Sequence, residues 1–393
     1  MKKIKNYIVH FIKGTDNLLL FLALLTSTFG ILAVYSATHY TVAESGGLSR
    51  DARTMIIAVI LGLVMALVIS LIDHDIICKL WFVWAIIGIV FMLLVMSPLG
   101  VAPPSRPDSK VWLDLKIFYF QPSELVKIIF IVTFAAHINA VKPHLNKVKT
   151  LILLIAHALI PILLVMKSGD DGSALVFMGI AAIMLFISGL NWTYIIGSIT
   201  LLLAAIPLVW FKFFDAYQKQ RFIVIFKPED YPDTAYQQNM GLSAIGQGGF
   251  LGTGFLKGPY TQARAVPESQ NDFIFTVVAE EFGTLGGIIA ILLICAIIIR
   301  VIMNGKKASH GASRIMCYGI GAMIATQSFV NIAMCLRLGP VIGITLPFFS
   351  AGGSSSLCLY IGLGLALSAY RTTFDQRPKQ FRLNTTMTSP YKS

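Results

Sequence analysis

The chain has 393 residues, of which 56% are hydrophobic and 13% are charged, and 31 Lys and Arg residues against 19 Asp and Glu residues leave a formal net charge of +12. Soluble globular domains carry about 25% charged residues, so this composition excludes an ordinary soluble protein and indicates an integral membrane protein. A basic excess in such a protein is typical of cytoplasmic loops, and we therefore expect no nucleic acid as a partner.

Continuous apolar blocks of about 20 residues predict spanning α-helices, whereas a membrane β-barrel would show alternating segments of about 10 residues. The expected fold is an all-α membrane bundle: a basic amino-terminal segment (residues 1–16), a membrane domain (17–370) and a basic tail (371–393). Ten windows fit a spanning helix, namely residues 17–35, 54–72, 77–97, 125–141, 150–166, 173–190, 193–211, 285–303, 315–334 and 353–370.

The distribution of Lys and Arg between the short connecting segments predicts the orientation of these ten spans. Seventeen of these residues lie on the side of the two termini, and seven lie on the opposite side. Both termini are therefore expected in the cytoplasm, and residues 98–124 and 167–172 on the outer face. Residues 212–272, between the seventh and eighth spans, are expected to form a long extracytoplasmic loop.

The first outer segment ends in a predicted helix start, Gln121-Pro122-Ser123-Glu124, which Lys127 follows. Pro122 suits the first turn of a helix, and Glu124 in that turn complements the positive end of the helix dipole. Glu124 and Lys127 are three residues apart, so they can form an ion pair. Ordinary capping chemistry explains Pro122 and Glu124 well, but it explains less well a lysine that faces into a span.

Two acids, Asp170 and Asp171, lie between the fifth and sixth spans. One interpretation is a solvated turn whose side chains cap the helix that follows. The other is a functional site, because acids that abut apolar helix are costly and are retained for a purpose. The residues alone leave both interpretations open.

Asp272 lies where the long polar loop passes into an apolar helix, directly before Phe273-Ile274-Phe275. Partial desolvation at this depth would raise the pKa of its carboxyl toward that of a general base, whereas the dipole of the following helix would lower that pKa. Neither Glu280 nor Glu281 lies on the same face of the predicted helix as Asp272. From the residues alone, a helix-capping role is favoured over catalysis.

The segment from Leu346 to Ser356 interrupts the apolar pattern before the tenth span. Pro347 and two glycines in this segment favour a non-helical backbone, which is tolerated at membrane depth where it lines a polar cavity. The segment is either a tight loop between spans or a source of hydroxyl ligands for a polar head group.

Taken together, these segments resemble the SEDS family of bacterial shape, elongation, division and sporulation proteins (RodA, FtsW and SpoVE), over nearly the whole chain. The motifs that carry the resemblance are Trp112 through Lys127, Tyr236-Gln237 followed by Gly246 to Gly254, Pro267-Glu268 with Asp272 to Phe275, Glu280-Glu281, and Leu346-Pro347-Phe348 with Ser350 and Gly352 to Ser355. No feature separates elongation from division members, and the elongation role of RodA is the preferred expectation.

The resemblance implies a peptidoglycan glycosyltransferase that polymerises lipid II outside the cytoplasmic membrane, in complex with a class B penicillin-binding protein. It also implies that Asp272 is the acid on which this activity depends. The other residues expected to bind substrate are Lys110, Trp112, Gln121, Glu124, Lys127, Asp170, Gln237, Arg264, Glu268, Ser350 and Ser354. Val111 departs from the family, which commonly has an Arg there, and Asp171 stands where Leu is usual, so the choice between Asp170 and Asp171 stays open.

In the expected reaction, Asp272 deprotonates or orients the C4 hydroxyl of one sugar, which attacks the anomeric carbon of another and displaces undecaprenyl pyrophosphate. A single displacement would convert an α-linked donor into a β-1,4 product. No tightly bound cofactor is expected, and a divalent cation, Mg²⁺ or Mn²⁺, is an optional partner of the pyrophosphate. The cations expected to neutralise the pyrophosphate are drawn from Lys110, Lys116, Lys127, Lys257 and Arg264.

Two other classes of function share the predicted spans and outer cavity. A transporter (flippase) of lipid-linked precursor would need polar residues along a route through both leaflets, whereas the acids named above cluster on the predicted outer side. A membrane scaffold for wall-synthesis enzymes would leave Asp272 without a role. Polymerisation of lipid II by the purified protein would separate the three.

Overall fold

The structure is a computed structural model that describes residues 14–41, 47–102, 109–114, 116, 119–212, 214 and 216–385. Residues 1–13 and 386–393, which belong to the two predicted basic terminal segments, lie outside the described residues.

Long apolar helices make up most of the described chain. The α-helices are α1 Asn17–Thr38, α2 Arg50–Leu71, α3 His74–Lys79, α4 Trp81–Met96, α5 Pro122–Val141, α6 Val148–Lys167, α7 Asp171–Ile187, α8 Trp192–Lys212, α9 Ala216–Phe226, α10 Pro232–Gly248, α11 Pro259–Gln262, α12 Ile274–Lys307, α13 Gly311–Cys335 and α14 Gly353–Thr385. Three-residue 3-10 helices lie at His39–Thr41, Lys142–His144 and Pro228–Asp230.

Eight helices in the described part of the chain are long and apolar enough to cross a membrane: α1, α2, α5, α6, α8, α12, α13 and α14. Two shorter apolar helices, α4 and α7, coincide with the remaining predicted windows. The all-α membrane fold is therefore confirmed. The count of ten spans stays a prediction, because α4 and α7 have 16 and 17 residues and a span needs about 20.

Several boundaries differ from the prediction. The helix predicted at 285–303 begins at Ile274, and it contains one non-helical residue, Gly283, with φ 69° and ψ −171°. The segment 212–272, predicted as a long loop between the seventh and eighth spans, contains three helices, α9 to α11. The last helix continues to Thr385, beyond the predicted end of the tenth span at residue 370.

The described part of residues 98–124 contains a small three-stranded antiparallel sheet that the sequence did not predict. Its strands are β1 Gly100–Val101, β2 Trp112–Asp114 and β3 Tyr119–Phe120, and Leu113 of β2 pairs with Phe120 of β3. Strands this short carry no readable alternation of apolar and polar residues. The sheet leads directly into α5 at Pro122, so it fixes where the Gln121 motif begins.

The core of the bundle is built around α13 and α14. Helix α13 packs against α12, α7 and α5, and α14 packs along the length of α2. Small residues permit the close approach of α2 and α14, because a Cβ atom added at Gly364 would lie 2.8 Å from the Cα atom of Ala66.

Two contacts determine which helix ends share a side of the bundle. At one end, the carboxylate of Asp16 caps α1 and accepts hydrogen bonds from Arg300 Nε at 2.8 and 3.0 Å, near the end of α12. At the same end, Gly14 lies against the ring of Phe374 in α14. Asp272 precedes the opposite end of α12. The first and last described segments therefore lie on one side of the bundle, and Asp272 lies on the other.

Candidate active site

Asp272 stands just before α12, and its carboxylate is not a helix cap. The helix begins at Ile274, the N-cap position belongs to Phe273, and no side chain caps this helix start. The capping interpretation of Asp272 is therefore wrong, because the carboxylate lies one residue before the position from which it would reach the first free N–H groups. The side chain is half-buried, and no described residue donates a hydrogen bond to either carboxylate oxygen.

The surroundings of Asp272 set its proton affinity. Burial raises the pKa of the Asp272 carboxyl to about 7, and the negative charges of Glu268 and Asp170 act in the same direction. A carboxyl that gains and loses its proton near neutral pH is suited to general base catalysis.

The backbone of residues 270–272 is held by hydrogen-bond donors from residues 331–351. The carbonyl oxygens of residues 270–272 accept, in order, from the backbone N–H of Ala351 at 3.0 Å, from Ser350 Oγ at 2.7 Å and from Asn331 Nδ2 at 2.7 Å. Donors from α13 and from the segment before α14 thus hold three consecutive carbonyl groups. Ser350, expected to bind substrate, uses its hydroxyl for this internal bond.

Asp170 joins two of the predicted motifs. Its Oδ1 accepts from the backbone N–H of Ser173, so the capping interpretation is confirmed for this residue. Its Oδ2 also accepts from Gln121 Nε2 and from Ser123 Oγ, each at 2.8 Å. Asp171 points elsewhere, and its Oδ2 accepts from Gln218 Nε2 at 3.2 Å. Of the two neighbours, Asp170 is the one whose charge acts on Asp272.

Residues 342–344 connect the Asp170 turn with Asp272. A Cβ atom added at Gly343 would lie 3.4 Å from Asp272 Oδ2, and one added at Gly172 would lie 3.1 Å from a side-chain atom of Ile344. The start of α7 therefore packs on a segment that also borders the Asp272 carboxylate. Because Gly343 has φ 68°, its backbone conformation favours glycine.

The Gln121 motif forms an internal polar network. Lys127 Nζ lies 2.8 Å from Glu124 Oε1, and both side chains are buried, with 1% and 7% of their surface exposed. The predicted ion pair is confirmed, and it explains how a lysine is accommodated in a span. Ser354 Oγ donates to the carbonyl of Tyr119 at 3.0 Å and accepts from the N–H of Gln121 at 3.1 Å. Substrate binding by these residues stays a prediction.

The segment 212–272 presents the remaining predicted residues. Gln237 Nε2 donates to the carbonyl of Pro267 at 2.8 Å, and Glu268 Oε2 accepts from Asn271 Nδ2 at 2.8 Å. These bonds join α10 to the residues that lead to Asp272. Trp112 lies apart from them, in the small sheet, where its ring centre is 6.0 Å from that of Tyr119.

The expected pyrophosphate-binding cations differ in exposure and in partners. The Arg264 guanidinium lies 3.4 Å from the ring centre of Tyr40, a cation–π contact, and Lys110 Nζ donates to the carbonyl of Ser97 at 3.4 Å. Lys116 and Lys257 are exposed. Within the described residues, none of the five cations forms an ion pair with Asp272 or Asp170.

The described residues contain no group of three or more His, Cys, Asp or Glu side chains that could hold a metal ion. A divalent cation as a partner of the pyrophosphate stays a prediction.

Two features of the site were missed by the sequence reasoning. Asn331, one turn before the end of α13, is fully buried and bonds the carbonyl of Asp272. An amide side chain within a predicted span was the available signal. Gly343 could not have been found, because its place beside Asp272 depends on the packing of segments far apart in the chain.

Comparison with known proteins identifies relatives over nearly the full length of the chain. The family model FtsW/RodA/SpoVE, described as cell cycle protein, matches residues 16–374. The peptidoglycan glycosyltransferase MrdB of Escherichia coli K12 is 32% identical over 356 residues, which are 90% of this chain and 92% of that protein. The probable peptidoglycan glycosyltransferase FtsW of Geobacter sp. strain M18 is 30% identical over 364 residues, 91% of this chain and 97% of that protein.

Solved structures share the fold. A chain from a structure titled "Structural coordination of polymerization and crosslinking by a peptidoglycan synthase complex" superposes with a TM-score of 0.78 at 25% identity, and covers 92% of this chain and 98% of that one. The rod shape determining protein RodA of Thermus thermophilus superposes with a TM-score of 0.66 at 23% identity over the same shares of the two chains. This chain therefore belongs to the FtsW/RodA/SpoVE family of cell cycle proteins, the SEDS family.

Proposed function

We propose that this protein is a peptidoglycan glycosyltransferase that polymerises lipid II into β-1,4 glycan strands at the outer face of the cytoplasmic membrane, with Asp272 as the general base. Family membership and the named activities of the relatives support the reaction class. The observation that carries the assignment of the base is the Asp272 carboxyl itself. It is half-buried, has a pKa of about 7 and has both oxygens free of described donors.

The proposed step is a single displacement. The ionised Asp272 carboxylate takes the proton from the C4 hydroxyl of the acceptor sugar as its oxygen forms a bond to the anomeric carbon of the donor. The bond from that carbon to the pyrophosphate oxygen breaks, and undecaprenyl pyrophosphate leaves with the electron pair. Attack opposite the leaving group inverts the α-linked donor to the β-1,4 product. The proton on Asp272 then passes to solvent.

The departing pyrophosphate needs positive charge. Lys127 is held by Glu124 in a buried pair, so it is less suited than the cations at the outer surface. We assign this role to members of the remaining set, Lys110, Lys116, Lys257 and Arg264.

The orientation of the protein follows from two arguments. Lys and Arg concentrate in the short segments on the side of the termini, which favours a cytoplasmic location for that side. Asp272 lies at the end of α12 opposite Arg300, which pairs with Asp16 near the amino terminus. The proposed base therefore faces outward, where lipid II is polymerised.

The proposed partner is a class B penicillin-binding protein. Support comes from the structural neighbour, whose complex is described as coordinating polymerization and crosslinking. This chain would supply the polymerisation, and the partner would supply the crosslinking.

The proposal is tested with purified protein and lipid II. Asp272→Ala should lower the rate of glycan polymerisation by about 10²- to 10⁴-fold, the usual contribution of a general base. The matched control is Asp233→Ala, which removes an exposed carboxylate from α10 and should polymerise at the parental rate. A parental rate for Asp272→Ala would refute the assignment of the base. If the parent protein moves lipid II between leaflets but forms no glycan, it is a transporter; if it does neither, it is a scaffold.

A further inference from the structure

Asn331 occupies an unusual position for an amide in a membrane span. It lies one turn before the end of α13 and has 0% of its surface exposed. Its Nδ2 donates to two backbone carbonyls at 2.7 Å, those of Asp272 and Ile344. Both hydrogens of the amide nitrogen are therefore used, and each fixes a different segment of the chain.

Both carbonyls belong to segments that border the carboxylate of the proposed base. One belongs to Asp272 itself. The other belongs to Ile344, the neighbour of Gly343, which borders Asp272 Oδ2. A single side chain thus sets the distance between the peptide that carries the carboxylate and the segment that forms the wall beside it.

The hydrogen bonds of α12 do not hold the carbonyl group of Asp272. The turn begins after Asp272, at Phe273, whose carbonyl accepts from the N–H of Thr276 at 2.9 Å. Among the described residues, the carbonyl of Asp272 accepts only from Asn331 and, at 3.6 Å, from the thiol of Cys335. A thiol is a weak donor, so Asn331 supplies most of the restraint.

We propose that Asn331 is a positioning residue that holds the Asp272 carboxylate at the acceptor hydroxyl by bonding the carbonyls of Asp272 and Ile344 together. This inference rests on the proposed function. A general base acts only within hydrogen-bond reach of its proton, and a displacement of about 1 Å can cost about 10²-fold in rate.

A purely structural role for Asn331 would have a different signature. Residues 270 and 271 keep their own bonds to Ala351 and Ser350, so the loop stays attached when the Asn331 bond is removed. The loss is then local to the base. It should appear in the rate of the bound complex and leave substrate affinity nearly unchanged.

The test compares two variants at this position with a matched control in purified protein. Asn331→Leu keeps a similar volume and removes both donors, and Asn331→Ser keeps one donor. Gln327→Leu removes a second buried amide from the same helix, one turn earlier, where it bonds neither Asp272 nor Ile344. For each variant, kcat and KM for lipid II polymerisation are measured together with thermal unfolding.

We expect Asn331→Leu to lower kcat by about 10- to 100-fold, with KM within about threefold of the parent. Asn331→Ser should fall between the parent and Asn331→Leu, and Gln327→Leu should keep the parental kcat. If Asn331→Leu does not fold, the comparison of Asn331→Ser with Gln327→Leu decides the question in the same way.

Three results would overturn the inference: a parental kcat in the folded Asn331 variants, an equal loss in Gln327→Leu, or a loss carried by KM. Asp272→Ala in the same assay separates this failure from that of the proposed function. If Asp272→Ala is inactive and the Asn331 variants are parental, only the positioning role fails. If Asp272→Ala is itself parental, the proposed base is wrong.

Discussion

Asp272 shows how surroundings determine the chemistry of a single carboxyl. A helix follows it directly, and a helix dipole stabilises an anion. Burial and two neighbouring acids nevertheless raise its pKa to about 7. Because no described donor stabilises the ionised form, the desolvation of the charge decides the outcome.

The first prediction concerns pH. A general base acts in its ionised form, so kcat/KM for lipid II polymerisation should fall about tenfold for each pH unit below 7 and level off above it. The charged groups that act on Asp272 are Glu268 and Asp170. The measurement is a pH–rate profile of the purified protein.

The second prediction concerns the effect of the Glu268 charge on the pKa of Asp272. Glu268→Gln removes a negative charge that raises the pKa of Asp272, so the acidic limb of the profile should move to lower pH. Asp233→Asn, at an exposed position of α10, should leave the profile in place. A shift of the limb to higher pH in Glu268→Gln would contradict the electrostatic account.

At the scale of elements, α12 organises the segment 212–272 through its first three turns. Glu280 is fully buried and accepts from the backbone N–H groups of Tyr260 and Thr261 at 2.6 and 2.9 Å, and from Thr261 Oγ1 at 2.6 Å. Glu281 accepts from Ser36 Oγ of α1 at 2.6 Å. The two acids of this family motif therefore anchor α11 and α1 to the helix that follows Asp272.

The glycine-rich segment 246–254 packs backbone to backbone on the same part of α12. The N–H groups of Thr253 and Gly254 donate to the carbonyls of Glu280 and Glu281 at 3.0 Å, and the N–H of Thr284 donates to Gly249 at 2.9 Å. At two of the glycines this approach leaves no room for a side chain, because a Cβ atom added at Gly248 or Gly252 would overlap the carbonyl oxygen of Ala279 or Glu281. These two glycines therefore serve packing, and the segment lacks the lysine of a nucleotide-binding loop.

We predict that Gly283→Ala destabilises the protein by about 2 to 5 kcal/mol. Its φ and ψ angles lie in a region that is essentially restricted to glycine, and an added Cβ would overlap the backbone of Gly252 and Phe250. The measurement is thermal unfolding in detergent. Gly197→Ala is the matched control, because nothing lies within 4 Å of a Cβ added there, in the middle of α8. An equally stable Gly283→Ala would show that the kink is not required.

At the scale of the whole molecule, the bundle has two chemically different ends. One end holds the ion pair of the buried Asp16 and the partly exposed Arg300, which ties α1 to α12, with Asn304 Nδ2 donating to the same carboxylate at 2.8 Å. The other end holds Asp272, Asp170 and the polar network of α5. The charges of the protein are thus sorted to the two ends of the bundle, as expected where the middle lies in hydrocarbon.

The orientation leads to a prediction for the whole molecule. In intact bacterial cells, a membrane-impermeant maleimide should label Glu268→Cys, which lies beside Asp272, and should label Lys306→Cys, at the exposed end of α12, only after the cells are opened. The parent protein, with five free cysteines of which Cys295 is exposed, provides the background. Labelling of Lys306→Cys in intact cells would contradict the proposed topology.

The sequence alone determined the class of the protein and the approximate position of its long apolar helices, but not the start of α12 or the presence of α9 to α11. Apolar windows of about 20 residues require internal hydrogen bonding in a bilayer, so they predict helices whatever the packing. The pairing of Glu124 with Lys127 and the capping by Asp170 were also readable, because both depend on spacing of three residues. The family resemblance, carried by the order of short motifs, identified Asp272 as the candidate.

Only the tertiary structure decided what surrounds that candidate. From the sequence, a capping role was favoured for Asp272, and the direction of its pKa shift was open, because burial and helix dipole act in opposite directions. The residues that donate hydrogen bonds to this backbone are Asn331, Ser350 and Ala351. They lie more than 50 residues away in the chain, so no local pattern reveals them. The place of Gly343 likewise depends on contacts between distant segments, whereas the small sheet was not predicted because its strands have only two or three residues.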